Sequence, residues 1–262
     1  MSGQHVMIAG IGHCGTKWLS VVLNQPEQGV RFFHQHKYRI SKMSWNSWQQ
    51  VEDKTMVWEE YLEKYAAPFR KAIQKYRIVG DAISWMPLSI PKVHQYLPIS
   101  RILYLVRNGI PSLHSLMTHS PFAPPYHNQW LFGVYLRRYW LLAGQPLKPW
   151  KRWSRWERTC FWWQTNAFMP GWLHHQLRIP VEVYRLEDLT QNVVMLEELT
   201  QSLGLKIGRA TLQKMQRKDI NRKVEGSRDP AMIWNAWTGQ QRREFRTVCG
   251  VGMKKRGYKI PS

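Results

Sequence analysis

Residues 5–19 read His-Val-Met-Ile-Ala-Gly-Ile-Gly-His-Cys-Gly-Thr-Lys-Trp-Leu, and this stretch decides the fold. His5 to Gly12 is a short apolar run ending in glycines, the pattern of a buried strand followed by a turn. Thr16 to Asn24 then places Trp18, Val21 and Val22 on one helical face, and Pro26 ends the helix. A strand, a glycine turn and a helix in immediate succession make an anion site. Glycines let backbone N–H groups approach a charged oxygen, and the helix N-terminus adds a positive end.

Outward from that stretch the same alternation continues. Strands are expected at Val30–Phe33, Tyr76–Asp81, Arg101–Val106 and Val181–Tyr184. Helices are expected at Trp58–Lys75, with Pro68 as a kink or boundary, and at Ile90–Tyr96, Ile110–Met117 and Leu196–Leu203. Strand and helix in regular succession imply an α/β fold with a mostly parallel sheet flanked by helices. There is no internal repeat and no Gly/Ser linker, so one domain over residues 1–262 is expected.

Residues 126–172 interrupt the pattern with a stretch dense in Trp and Arg, in which Trp150, Trp153 and Trp156 recur every three residues. It reads as a helical insertion. Its tryptophans have three candidate roles: packing on the body, a membrane-surface contact, or an aromatic and basic acceptor groove.

Composition narrows the classes. The chain has 262 residues, 44% hydrophobic and 21% charged, which is ordinary globular usage and excludes overall disorder. Lys and Arg number 38 against 17 Asp and Glu, a net charge of +21 that favours an anionic partner or simply a basic surface. Three cysteines in no CxxC pair offer neither a disulfide framework nor a cysteine zinc site, and they favour a reducing compartment. No run reaches the roughly 18 apolar residues of a membrane-spanning helix, and the start is too polar for a signal peptide. A soluble cytoplasmic protein is the expectation.

Three motifs compete for the loop Gly10-Ile11-Gly12-His13-Cys14-Gly15-Thr16-Lys17. As G-x-G-x-x-G it matches the dinucleotide fingerprint, which wants an acid about 20 residues further on. That region, Val30 to His34, holds none, although Arg31 would suit the 2′-phosphate of NADP. As a Walker A loop it has the Gly10–Gly15 spacing, but Thr16-Lys17 inverts the Lys-Ser/Thr order, which disfavours ATP or GTP hydrolysis.

The third match is to a family. His13-Cys14-Gly15-Thr16-Lys17-Trp18-Leu19 resembles the 5′-phosphosulfate loop of the PAPS-dependent sulfotransferases, with His13 where that family has Lys or Arg. Arg101 to Ser115 resembles the family's 3′-phosphate site: a strand, then Arg107 and Asn108, then Ser115 eight residues after the Arg, with Gly109 in place of Pro. Further likenesses are Gly80-Asp81-Ala82 at a strand end, Phe32-Phe33-His34 (with Gly29 in place of the family's Glu), Tyr184-Arg185-Leu186-Glu187-Asp188-Leu189, and a tail running from Trp234 to Gly257-Tyr258.

The resemblance implies a P-loop-like three-layer fold and sulfuryl transfer from PAPS to a hydroxyl or amine of a carbohydrate, lipid or small-molecule acceptor. It implies that Gly12, His13, Cys14, Gly15, Thr16, Lys17 and Trp18 hold the phosphosulfate. Lys17 and His13 would offset charge on the bridging oxygen, and Arg107 and Ser115 would clamp the 3′-phosphate. Arg222 or Lys223 would close over it. No metal and no nucleic acid are implied. A base must take the acceptor's proton. His34 is favoured over His36 and Asp81, because it ends the second strand at the ligand side of the sheet. His174-His175 is no metal pair, since adjacent residues do not share a helix face. The alternatives are an NADP-binding oxidoreductase, needing Gly10 and Arg31, and a non-enzymatic basic module for RNA or a membrane surface.

Overall fold

The structure, a computed structural model, describes residues 3–10, 14–34, 56–83, 87, 90–118, 154–217 and 229–262. Among these, five strands form one parallel sheet: β1 (Gln4–Gly10), β2 (Val30–His34), β3 (Ile78–Ile83), β4 (Arg101–Val106) and β5 (Val181–Arg185). The helices in chain order are α1 (Thr16–Leu23), α2 (Met56–Ile73), α3 (Ile90–Tyr96), α4 (Gly109–Thr118), α5 (Arg155–Leu177), α6 (Leu186–Gln191), α7 (Val193–Ser202), α8 (Arg209–Arg217), α9 (Pro230–Ala236) and α10 (Gly239–Lys255). The α/β alternation read from sequence is present, with the ends of the expected strands and helices shifted by three residues at most. Pro68 lies inside α2, which continues past it.

The strand order is β2-β3-β1-β4-β5. The central strands β1 and β4 are buried along nearly their whole length, as parallel strands covered on both faces must be. Each fully buried Leu or Ile, such as Ile8, Ile102 and Leu103, contributes roughly 1.5–3 kcal/mol. The chain visits β2 and β3 on one side of β1, then β4 and β5 on the other. The reversal therefore falls between β1 and β4. In open α/β sheets that switch point, at the carboxyl ends of the strands, is where ligands bind.

This order removes the basis of the NADP reading. In a dinucleotide-binding fold the second strand lies beside the first. Here β3 separates them, and Gln4↔Ile78 of β3 and Val6↔Arg101 of β4 are the pairings that flank β1. Arg31 sits within β2 with its guanidinium over the Phe33 ring, 5.3 Å from the centroid.

Two compact units make up the chain. The first is Met1–Val106 with Pro170–Arg222, and it contains the whole sheet. The second is Arg107–Met169 with Lys223–Ser262. Within the second, the Trp156, Trp162 and Trp163 side chains of α5 are buried, and the Trp156 indole donates to the Gln241 carbonyl at 3.3 Å. The described part of the Trp-rich stretch is thus core. Trp150 and Trp153 lie outside the described residues. Trp234, Trp237 and Phe245 complete an aromatic cluster with Trp156. Among the described residues no helix is long and apolar enough to cross a membrane.

Candidate functional site

The first unit brings the glycine turn to the carboxyl end of β1. Gly10 ends the strand opposite Leu105 of β4, and a Cβ there would stand 2.5 Å from the Leu105 carbonyl oxygen and 2.6 Å from Cys14 Sγ. Only glycine permits that approach. Gly15, at the N-cap of α1, has φ 88 and ψ 11, the left-handed region that favours glycine. A Cβ on Gly15 would stand 2.5 Å from Leu186 Cδ1, so the residue is required twice over.

The first intrahelical hydrogen bond of α1 runs from Leu19 N–H to the Gly15 carbonyl at 3.0 Å. The amides of Thr16, Lys17 and Trp18 precede it and have no acceptor inside the helix. Gly15 has no side chain to cap them, and no acidic residue stands in the first turn. Lys17 is exposed there. A turn that presents amide donors, a helix N-terminus and an ammonium, with no carboxylate of its own, is suited to an anion.

His34 ends β2. It alternates with Phe33, whose ring packs edge-on against Phe69 of α2 at 5.4 Å, so His34 points to the opposite face, where α1 packs. It is half-buried. Burial, and then the Lys17 charge, hold its imidazole below the ordinary pKa of 6.5, so it is neutral at neutral pH. Asp81 faces the α2 side: it is 1% exposed, accepts from Tyr65 Oη at 2.8 Å, and bonds the Ala82 amide at 2.9 Å. Of the two base candidates that the described residues contain, His34 shares its face with the anion turn and Asp81 is held by a tyrosine on the other.

The remaining loop residues divide. Cys14 is fully buried beside Gly10. Trp18 is buried, and its indole N–H donates to the Met215 carbonyl of α8 at 3.0 Å, which leaves only its backbone amide at the turn. Gly12, His13, His36, Arg222 and Lys223 lie outside the described residues. His174 and His175 are exposed on α5.

In the second unit, Arg107 follows Val106 in the chain and its carbonyl accepts from the Trp163 indole at 3.0 Å. Asn108 caps α4, its Oδ1 accepting from the Ile110 amide at 3.0 Å. Ser115 is buried on α4. At Gly109 a Cβ would meet Phe245 at 3.0 Å, with Met253 and Trp163 at 3.1 Å, which accounts for glycine where the resembling family has proline. Sequence reasoning did not find Leu186, Tyr65 or this packing at Gly109. Each depends on a contact between residues distant in the chain, and none carries a local signal.

Two solved structures share the architecture over nearly their full length. The Sulfotransferase Domain from the Synechococcus PCC 7002 Olefin Synthase has a TM-score of 0.54 and 14% identity, covering 99% of this chain and 97% of that one. The Sulfotransferase Domain from the Curacin Biosynthetic Pathway has a TM-score of 0.51 and 12% identity, covering 100% of this chain and 99% of that one. No family model matches the sequence, and no curated protein does. At these identities the likeness is one of fold: this chain has the fold of sulfotransferase domains.

Proposed function

We propose that this chain, built on the sulfotransferase fold, transfers a sulfuryl group from PAPS to a hydroxyl or amine of a carbohydrate, lipid or small-molecule acceptor. The observation that carries the proposal is the left-handed Gly15 turn at the carboxyl end of β1, where the amides of Thr16, Lys17 and Trp18 have no acceptor inside the helix and the first turn of α1 holds no acid. That donor set fits a phosphosulfate, which offers acceptor oxygens and negative charge.

In this proposal the Gly15 turn and Lys17 hold the 5′-phosphosulfate, joined by Gly12 and His13. Arg107 and Ser115 hold the 3′-phosphate, with Lys223 beside them, as the motif resemblance implies. Bound PAPS supplies the sulfuryl group and departs as 3′-phosphoadenosine 5′-phosphate (PAP). Lys17 neutralises charge that develops on the leaving side, where a fixed cation stabilises a transition state more than a ground state. His34, neutral because of burial and Lys17, takes the acceptor's proton on a ring nitrogen. No metal is needed for any of these roles. The single domain, the cytoplasmic setting and the acceptor class belong to the proposal as well.

Calorimetric titration with PAP tests it, with Arg107→Ala and Lys17→Ala alongside and NADP and ATP as controls. Micromolar PAP binding that Arg107→Ala abolishes is the expected result. No PAP binding at moderate salt overturns it. Affinity for RNA or anionic vesicles that falls steeply with salt and is indifferent to Arg107→Ala favours the basic-module alternative instead.

A further inference from the structure

The indole of Trp18 is tied to a neighbouring helix, and the contacts that follow from that bond lead back to the glycine turn. Trp18 Nε1 donates to the carbonyl of Met215, in the last turn of α8, at 3.0 Å. One residue on, Gln216 Nε2 donates to the Leu189 carbonyl of α6 at 2.7 Å. The first residue of α6, Leu186, lies against Gly15. Gly15 is the N-cap of α1, three residues before Trp18. The circuit thus runs α1 to α8 to α6 and back to the turn.

Each link has a physical reason. The last four carbonyls of a helix have no intrahelical partner, and Met215 and Leu189 are both among them. A buried indole N–H must find an acceptor, and a helix-end carbonyl provides one. Leu186 meets Gly15 so closely that any other residue at 15 would displace it. Two end caps alone would be local stabilisers. The closure of both on a left-handed glycine at the head of α1 makes them a single clasp on the anion turn.

We propose that Trp18 is a positioning residue: its indole N–H ties the first turn of α1 to the last turn of α8, so that the Gly15 turn and the α8 end are set together. The proposal rests on the anion role given to that turn under Proposed function. The α8 end carries Lys214 and Arg217, both exposed, and the first turn of α1 carries Lys17. Cations on two separate helices are thereby held in a fixed relation by a residue that need not touch the anion with its side chain.

Hydrogen–deuterium exchange of the full chain, with PAP titration, tests this in Trp18→Phe and Gln216→Leu. Trp18→Phe keeps an aromatic ring and removes the N–H. Gln216→Leu breaks the α8–α6 link on a half-exposed residue and leaves the donor and acceptor of the Trp18–Met215 bond in place. In the clasp, both variants raise exchange in 14–20 and in 209–217 together, leave β1 and β4 unchanged, and weaken PAP about fivefold, the worth of one neutral hydrogen bond. The decisive readout is Gln216→Leu loosening residues 14–20, which a local cap would not do. Wild-type exchange in 14–20 and wild-type PAP affinity for Gln216→Leu overturn the proposal. If Trp18→Phe does not fold, Gln216→Leu alone decides it. Absence of PAP binding by the wild type sinks the donor assignment, while the exchange pattern still decides the clasp.

Discussion

Leu186 leans over Gly15, its Cδ1 only 2.5 Å from where a Cβ at position 15 would be. Gly15→Ala therefore suffers two separate penalties. The left-handed backbone costs a non-glycine residue roughly 1–2 kcal/mol, and the methyl must displace Leu186. A total loss of about 2–4 kcal/mol is expected by urea denaturation. The double variant Gly15→Ala/Leu186→Ala separates the two. It restores room for the methyl but not the backbone term, so the Gly15→Ala cost measured in the Leu186→Ala background falls to the backbone term alone. An unchanged cost there would show that Leu186 does not constrain the turn.

Lys17 acts on His34 through charge. Burial is the larger cause of the lowered imidazole pKa, and the ammonium is the second. Replacing Lys17 with Met removes a positive neighbour, so the pKa of His34 must rise, though not to its ordinary value while the ring stays half-buried. Imidazole proton shifts followed by NMR against pH read this directly. A fall, or no movement, contradicts the placement of the two groups. If His34 is the base, the acid limb of kcat/KM lies below pH 6.5 in the wild type and moves upward with Lys17→Met. His34→Gln then lowers kcat by about 100-fold or more.

Gly109 and Asn108 separate packing from capping at the head of α4. Gly109→Ala places a methyl 3.0 Å from the Phe245 ring and 3.1 Å from Trp163 and Met253. Rings and a sulfur fixed in a core give way reluctantly, so a loss of about 1–3 kcal/mol is expected in spite of alanine's better helix propensity. Asn108→Ala loses the bond to the Ile110 amide and costs about 1 kcal/mol. Thermal and urea unfolding of the two variants rank them; a Gly109→Ala protein more stable than wild type would refute the close approach.

His5 makes the fold acid-sensitive. It lies buried in β1 beside the Phe69 ring, centroids 5.6 Å apart. Burial is the main cause that lowers its pKa from 6.5 to about 4, and His94 adds a smaller push in the same direction. The folded state binds its proton less well than the unfolded chain. The stability this contributes is fully present above pH 6.5, declines as pH falls, and is gone below about 4. Its size is roughly 3 kcal/mol at 1.36 kcal/mol per unit. Urea midpoints of wild type and His5→Leu, compared across pH 7 to 4, should converge or cross as the wild type weakens. Parallel curves would show that His5 does not titrate with unfolding.

Sequence by itself determined the five strands and the helices α1 to α4 and α7, and it located the glycine turn. Those features rest on local periodicity. The apolar runs at residues 5–10 and 101–106, the glycines at 10 and 15, and the helical spacing after Thr16 are written in consecutive residues, and near neighbours are enough to produce them. The position of His34 at a strand end was legible for the same reason.

Only tertiary structure decided the rest. Strand order put β3 between β1 and β2, which took Arg31 away from the glycine turn and ended the NADP reading; pairing partners come from packing over long chain separations. Alternation along β2 and β3 became informative only once Phe69 and Tyr65 of α2 marked one face, which parted Asp81 from His34. Trp18 read as a helix residue of the phosphosulfate site, and its indole N–H found a carbonyl 197 residues away. A buried donor takes whichever acceptor the folded chain brings within reach, and linear spacing cannot specify it.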